Sequence, residues 1–163
     1  MDVKTLDKIA PDANESPESA IKFLLDCLYV YQQGDEDALG YIGYVLSKSF
    51  CEEDRTAASG YKLMKRYKSL VSRILDDPNC IIAAMGASWE EDYKDVDPDD
   101  YELTITKQDK SKKEVKTFIK SGGRDLPFPI TCRMNSSGQW KVTSGFSTIL
   151  MDVRKPKSEV EDF

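Results

Sequence analysis

The sequence predicts an α+β domain in which three N-terminal helices pack on a curved antiparallel β-meander. Between about residues 16 and 75, apolar residues recur at helical spacing. From about residue 101 onward, apolar residues alternate with polar ones, which is typical of strands with one buried face. Because the two patterns occupy separate parts of the chain, helices and sheet are expected to segregate.

The length predicts one domain, since 163 residues can bury a core without disulfides or metals. Residues 1–15 are polar and are expected to be irregular, with at most one short helical turn near residues 3–9. The predicted α+β domain covers residues 16–152. Residues 153–163 are expected to form a polar C-terminal tail.

The first predicted helix has clear boundary signals. Ser16 suits the N-cap, Pro17 the first helical position and Glu18 the first turn, whereas Gly34 ends the helix. Its apolar face consists of Ala20, Phe23, Leu24, Cys27, Leu28 and Tyr31.

Two further helices are predicted from periodicity. The second begins at Asp35 and covers residues 35–50, although Gly40 and Gly43 each weaken it by about 1 kcal/mol relative to alanine. The third extends from about residue 57 to 75 and stops before Asp77 and Pro78.

Strands are predicted after Pro78. The short apolar run CIIAAMGA at residues 80–87 predicts a buried strand, and an acidic loop follows it. The inward face of the meander is then expected to contain Tyr101, Leu103, Ile105, Val115, Thr117, Ile119, Phe128, Ile130, Cys132, Met134, Trp140 and Val142.

Composition excludes several chemistries. The chain has no histidine, which rules out Ser-His-Asp and Cys-His nucleophiles and His-ligated zinc. The four cysteines are far apart and form no C-x-x-C pair, which predicts reduced thiols in a soluble, cytoplasmic protein. A net charge of −6 disfavours nucleic acid and anionic membranes as partners. No cofactor is expected.

The acidic loop places Asp95, Asp97, Asp99 and Asp100 close together, as calcium loops do. An EF-hand needs Gly at its sixth position and Glu at its twelfth, where this chain has Asp100 and Thr106. A solvated loop without a metal is therefore expected.

The segment SGGRDLPFP at residues 121–129 has two interpretations. A phosphate-binding loop needs a lysine at fixed spacing and a following helix, and neither is present. Glycines and prolines between two alternating segments favour a corner at the edge of the sheet.

The same segment is similar to a bacterial family of unknown function with an S-G-G-x-D-x-P-x-P-I-x-x-R pattern, a later G-x-W and a terminal D-I-R-x-P. The matching residues are Ser121, Gly122, Gly123, Asp125, Pro127, Pro129, Ile130, Arg133, Gly138, Trp140, Asp152, Arg154 and Pro156. The resemblance marks Asp125, Arg133, Asp152 and Arg154 as candidate ligand-binding residues. The alternative is that they form turn hydrogen bonds and ion pairs at the sheet edge.

The element order, together with GQWKV at residues 138–142, also resembles the nuclear transport factor 2-like, or cystatin-like, cone. This resemblance implies a curved sheet around a long helix, with a pocket at its wide end. Some enzymes of this fold use an aspartate base and a tyrosine donor. This chain offers Asp26, Tyr29, Tyr31, Tyr61, Tyr67 and Tyr101, but no catalytic residue is assigned.

A non-enzymatic module that binds a small ligand or a protein is therefore the expected function. An isomerase- or dehydratase-like enzyme and an immunity or effector-associated protein remain alternatives. The outer sheet face is mostly polar but contains Phe118 and Arg133, and aromatic and arginine side chains are common at interface centres. This pattern predicts a weak homodimer with both residues near its two-fold axis.

Overall fold

A computed structural model describes residues 1–160 and has the predicted α+β architecture. The α-helices are α1 (Val3–Ile9), α2 (Pro17–Gln32), α3 (Lys65–Val71), α4 (Cys80–Ala84) and α5 (Phe146–Ile149). The 3₁₀ helices are Ala10–Asp12, Glu36–Tyr44, Lys48–Phe50, Ser72–Asp76, Trp89–Glu91 and Lys157–Glu159. The strands are β1 (Cys51–Glu53), β2 (Tyr61–Leu63), β3 (Ile105–Lys110), β4 (Glu114–Ile119), β5 (Phe128–Met134) and β6 (Trp140–Ser144).

Helix α2 lies at the centre of the core and confirms the first predicted helix. The Ser16 Oγ accepts from the Ser19 amide at 3.0 Å, and the Ser19 Oγ accepts from the Ser16 amide at 3.1 Å. This reciprocal cap fixes the start of the helix. Most side chains of α2 are buried, and the helix contacts β5, β6 and α4.

Strands β3 to β6 form an antiparallel sheet in sequential order. Period two was correct for β4, β5 and β6, whose inward residues are buried except for the half-buried Met134 at the end of β5. The first strand of the meander was predicted too early, because β3 begins only at Ile105 and the preceding Tyr101 packs against α2 instead. Ile105 is accordingly exposed rather than inward.

The second predicted helix was wrong in type and length, since residues 36–44 form a 3₁₀ helix. Gly43 explains how closely it packs. A Cβ on Gly43 would lie 2.5 Å from the Ser59 Oγ and 2.9 Å from the Tyr61 Cβ. The missing side chain of Gly43 lets the hairpin of β1 and β2 approach this helix closely.

The third predicted helix was wrong over its first half. Gly60 has a φ of +80° and turns the chain into the β1–β2 hairpin, so only residues 65–76 are helical. Apolar spacing in Tyr61, Leu63 and Met64 fits either structure, and the turn decides between them.

The run CIIAAMGA was predicted as a strand but contains helix α4. It is buried on nearly every side, so it shows no period that could separate strand from helix. Among residues 1–160, no helix has both the length and the apolar character to cross a membrane.

The start of the predicted tail is fixed to the domain. The Val153 amide donates to the Asp77 Oδ2 at 3.1 Å, and the Arg154 amide donates to the Gly123 carbonyl at 3.1 Å. Residues 161–163 lie outside the described residues. The domain boundaries at residues 15 and 152 stay a prediction.

Candidate functional site

A cleft of about 690 Å³ opens between the β5–β6 hairpin and the segments that carry β1, β2 and the 3₁₀ helix at residues 36–44. We call it the basic cleft. Its lining residues are Asn14, Gly43, Tyr44, Ser47, Lys48, Ser59, Tyr61, Arg133, Met134, Asn135, Ser136, Ser137, Gln139, Lys141 and Thr143. Lys48, Arg133 and Lys141 supply positive charge, and the lining contains no carboxylate.

Lys141 forms the floor of the basic cleft. Its side chain points outward from β6, and its Nζ donates to the carbonyls of Gly43 at 3.1 Å and Tyr44 at 2.7 Å. An ammonium has three N–H donors, so one remains for a ligand. Burial, followed by the nearby Lys48 charge, lowers the pKa of Lys141 from its ordinary value.

Arg133 and Lys48 line the same cleft as Lys141, and Arg133 is its register partner on β5. Arg133 is exposed and makes no hydrogen bond or ion pair through its guanidinium within residues 1–160. Glu114 is its register partner on β4, but the two side chains form no salt bridge in the same range. The Lys48 Nζ lies 5.6 Å from the centre of the Tyr61 ring.

Sequence reasoning identified one of the three cations. Arg133 was a candidate through the family pattern, whereas Lys48 and Lys141 were missed as site residues. The alternation of β6 placed Lys141 on the outer face. Its contacts with the Gly43 and Tyr44 carbonyls arise only in the folded chain, so the sequence did not show them.

Asp125 and Arg154 meet in a different place, where they form an ion pair. The Arg154 guanidinium also lies 5.4 Å from the centre of the Trp89 ring. Both residues line a cleft of about 430 Å³ that also contains Lys120, Arg124 and Glu90. Charges of both signs are present there, so this cleft favours no particular ligand charge.

The segment 121–125 is a corner that holds the C-terminal part of the chain. The Arg124 guanidinium donates to the carbonyls of Thr148, Ile149 and Met151 at 2.6–3.2 Å. The Trp89 amide donates to the Gly122 carbonyl at 3.1 Å. These contacts favour a structural role for the motif, with Asp125 and Arg154 as part of the same anchor.

Asp152 joins neither group. Its side chain is exposed and makes no hydrogen bond or ion pair with the rest of the described chain. The four candidate residues therefore occupy three separate places, and only Arg133 lines the basic cleft.

Gly122→Ala is expected to destabilise the fold by about 1–3 kcal/mol, the usual cost of overpacking. A Cβ at this position would lie 1.7 Å from the Ala87 carbonyl oxygen, so backbone must move. Gly40→Ala is the control, because its Cβ would meet Ala57 at an ordinary 3.4 Å. Urea unfolding of both variants measures the difference, and equal midpoints would contradict the structural role of Gly122.

A second polar feature involves Asp26 of helix α2 and Tyr101. The Tyr101 Oη donates to the Asp26 Oδ1 at 2.7 Å, and Asp26 is 3% exposed. Burial raises the pKa of Asp26 to about 6, although the Tyr101 hydrogen bond and the Lys22 charge oppose this. Asp26 also lines a groove of about 440 Å³ whose walls include Ile9, Ala13 and Phe23.

Carboxylates of the acidic loop accept hydrogen bonds from nearby backbone amides. The Asp95 Oδ1 accepts from the Ser88 amide at 2.8 Å, and the Asp97 Oδ1 accepts from the Asp99 amide at 2.9 Å. Within residues 1–160, no three His, Cys, Asp or Glu side chains gather as metal ligands would.

Comparison with known proteins gives a family but no activity. No curated protein and no solved structure matches the chain significantly. The nuclear transport factor 2-like cone consequently stays a prediction, and the fold shown is the coarser α+β arrangement. A family model described as a domain of unknown function, DUF6935, matches residues 1–157. The chain therefore belongs to this family of unknown function.

Proposed function

We propose that this protein is a non-enzymatic binding module that takes a small, multiply charged anion in the basic cleft. One observation supports the proposal above the others: three cationic side chains line a cleft without a carboxylate, in a chain of net charge −6. Like charges brought together repel, so such an arrangement costs stability unless an anion compensates it.

The chemistry of the lining suits a multivalent oxyanion. Arg133 offers five N–H donors in a planar fork that matches a carboxylate or phosphate. Lys141 is fixed by two carbonyls, so its remaining donor is already oriented. Hydroxyl and amide groups of the β5–β6 turn, such as Ser137 and Gln139, supply neutral hydrogen bonds around the charge.

We expect citrate and pyrophosphate to bind and to raise the melting temperature at constant ionic strength, because a ligand of the native state stabilises it. Charged hydrogen bonds contribute about 1.5–3 kcal/mol, so Arg133→Gln and Lys141→Met should each weaken binding at least tenfold. Isothermal titration calorimetry measures both affinities.

Arg73→Gln is the matched control, since Arg73 is exposed and lies outside the cleft. It should bind both anions as the wild type does. Wild-type protein that responds to citrate no more than to sodium chloride would contradict the proposal, as would equal losses in Arg73→Gln.

The contact between Asp26 and Tyr101 favours a second candidate, an enzyme that moves a proton on a small, largely apolar substrate. A carboxyl whose pKa is about 6 can give or take a proton near neutral pH. Ile9, Ala13 and Phe23 offer apolar contacts to such a substrate in the groove beside Asp26, which Lys8, Asp12, Ser19 and Lys22 also line. Asp26→Asn separates the candidates, because it removes the proton-transfer group and leaves the basic cleft intact.

A further inference from the structure

We propose that the outer face of the four-stranded sheet binds an acidic, extended segment of a partner protein, with Phe118 as its aromatic anchor. This proposal extends the proposed function, because Arg133 and Lys141 belong to both surfaces. We call the surface the outer face. It consists of Lys107, Asp109, Glu114, Lys116, Phe118, Pro129, Thr131, Arg133 and Lys141, as the strand registers place them.

The outer face has a charge opposite to that of the whole chain. Basic residues outnumber acidic ones there, and the acidic ones are Asp109 and Glu114. Asp109 pairs with Lys107 at 3.5 Å. Lys116 and Arg133 are exposed and lie opposite Asp109 and Glu114 in the strand register, but among residues 1–160 they form no ion pair with them. Since the chain as a whole carries −6, the positive charge is confined to a part of the surface.

Phe118 gives this surface an apolar centre. The ring is half-buried and lies between two cations, with the Lys107 Nζ at 5.8 Å and the Lys116 Nζ at 5.2 Å from its centre. An approaching chain could pack an apolar side chain on the ring while its carboxylates reach the two ammonium groups. Interfaces are enriched in this combination of aromatic and cationic residues.

Charge complementarity decides which partner fits. In a two-fold dimer through this face, the lysines beside Phe118 would meet their own copies, which is unfavourable. An acidic segment instead neutralises them. The basic cleft continues the same positive surface through Thr131, Arg133 and Lys141, so an extended peptide can follow strand β5 toward it.

The probe is a fluorescein-labelled poly-glutamate peptide that contains one phenylalanine, measured by fluorescence anisotropy. We expect wild-type protein to bind it and Phe118→Ser and Lys116→Gln to bind it about tenfold more weakly. Phe118→Leu keeps an apolar side chain and should lose less, and Arg73→Gln should lose nothing. Circular dichroism and thermal unfolding show that each variant is folded.

Four outcomes would overturn this inference. These are unchanged affinity in Phe118→Ser, equal affinity for a single-stranded oligo-dT probe, no peptide binding by wild type, and a concentration-dependent dimer that Phe118→Ser abolishes. If citrate still binds in an Arg133-dependent manner, only this inference fails. If neither citrate nor the peptide binds, the proposed function fails with it.

Discussion

Trp140→Ala is expected to lower the free energy of unfolding by about 3–5 kcal/mol, as aromatic truncations in protein cores do. Trp140 is 9% exposed and packs in the main core with Phe128 and Ile130. Its amide donates to the Asn14 carbonyl at 2.9 Å, so the residue also links β6 to the segment before α2. The substitution would leave a large cavity where sheet and helix meet.

Urea unfolding followed by circular dichroism measures this loss. Trp89→Ala is the control, because Trp89 is half-buried and packs in a smaller cluster with Ala83, Ala87 and Tyr93. We expect a clearly smaller loss there. Equal losses in both variants would contradict the assignment of Trp140 to the core.

The position of Trp140 could be predicted because period two needs only local sequence. Val142 follows it on the same face of β6, and Lys141 between them points outward, as the structure confirms. Helix α2 could be predicted equally well, since Ser16 and Pro17 mark its start within a few residues. Both predictions depend only on residues that are close together in the sequence.

The elements that were wrong share a different property. The apolar run at residues 80–87 is buried nearly all round, and residues 61–64 fit a helix or a hairpin equally well. In both cases tertiary packing decides between helix and strand, and apolar spacing alone cannot predict the outcome. The 3₁₀ helix at residues 36–44 likewise depends on the hairpin that packs against Gly43.

The sites needed contacts that are distant in sequence. Asp26 and Tyr101 were both named as possible acid–base residues, but 75 positions separate them, and only the fold joins them. Lys141 and Tyr44 are likewise far apart in the sequence, 97 positions, and only the fold brings them into contact. Sequence reasoning supplied suitable residue types and could not supply their pairing.

Asp26→Asn is expected to stabilise the protein at neutral pH. Burial raises the pKa of Asp26 from 3.8 to about 6, so the folded state holds this proton more tightly than the unfolded state. The stabilisation from the protonated group is complete below about pH 4 and is lost as the pH rises through 6. A difference of two pKa units corresponds to about 3 kcal/mol above that window.

Asparagine cannot ionise and therefore avoids this loss. Its Oδ1 can still accept the Tyr101 hydrogen bond, and Lys22 remains above the Tyr101 ring. The stability difference between Asp26→Asn and wild type should accordingly be small at pH 4 and grow to about 3 kcal/mol at pH 7.5. Taking the difference cancels the other carboxylates, which titrate alike in both proteins.

Tyr101→Phe is the matched variant with the opposite expectation. It removes the hydrogen bond that favours the ionised carboxylate, so it should destabilise the protein by about 1–3 kcal/mol at pH 7.5 and by less at pH 4. Denaturant titrations of the three proteins between pH 4 and 8 measure both trends. A pH-independent difference for Asp26→Asn would contradict the raised pKa of Asp26.

The Asp26→Asn variant also tests the enzyme candidate. An ionised carboxylate that costs stability at neutral pH is a feature that active sites often retain for function. If Asp26 exchanges protons with a substrate, wild-type protein should speed the loss of α-proton signals from small ketones in deuterated water. The stabilised Asp26→Asn variant should not, and because it is folded, that loss of activity would belong to the carboxylate. Equal exchange rates in both proteins would leave Asp26 as a buried structural group and favour the binding module.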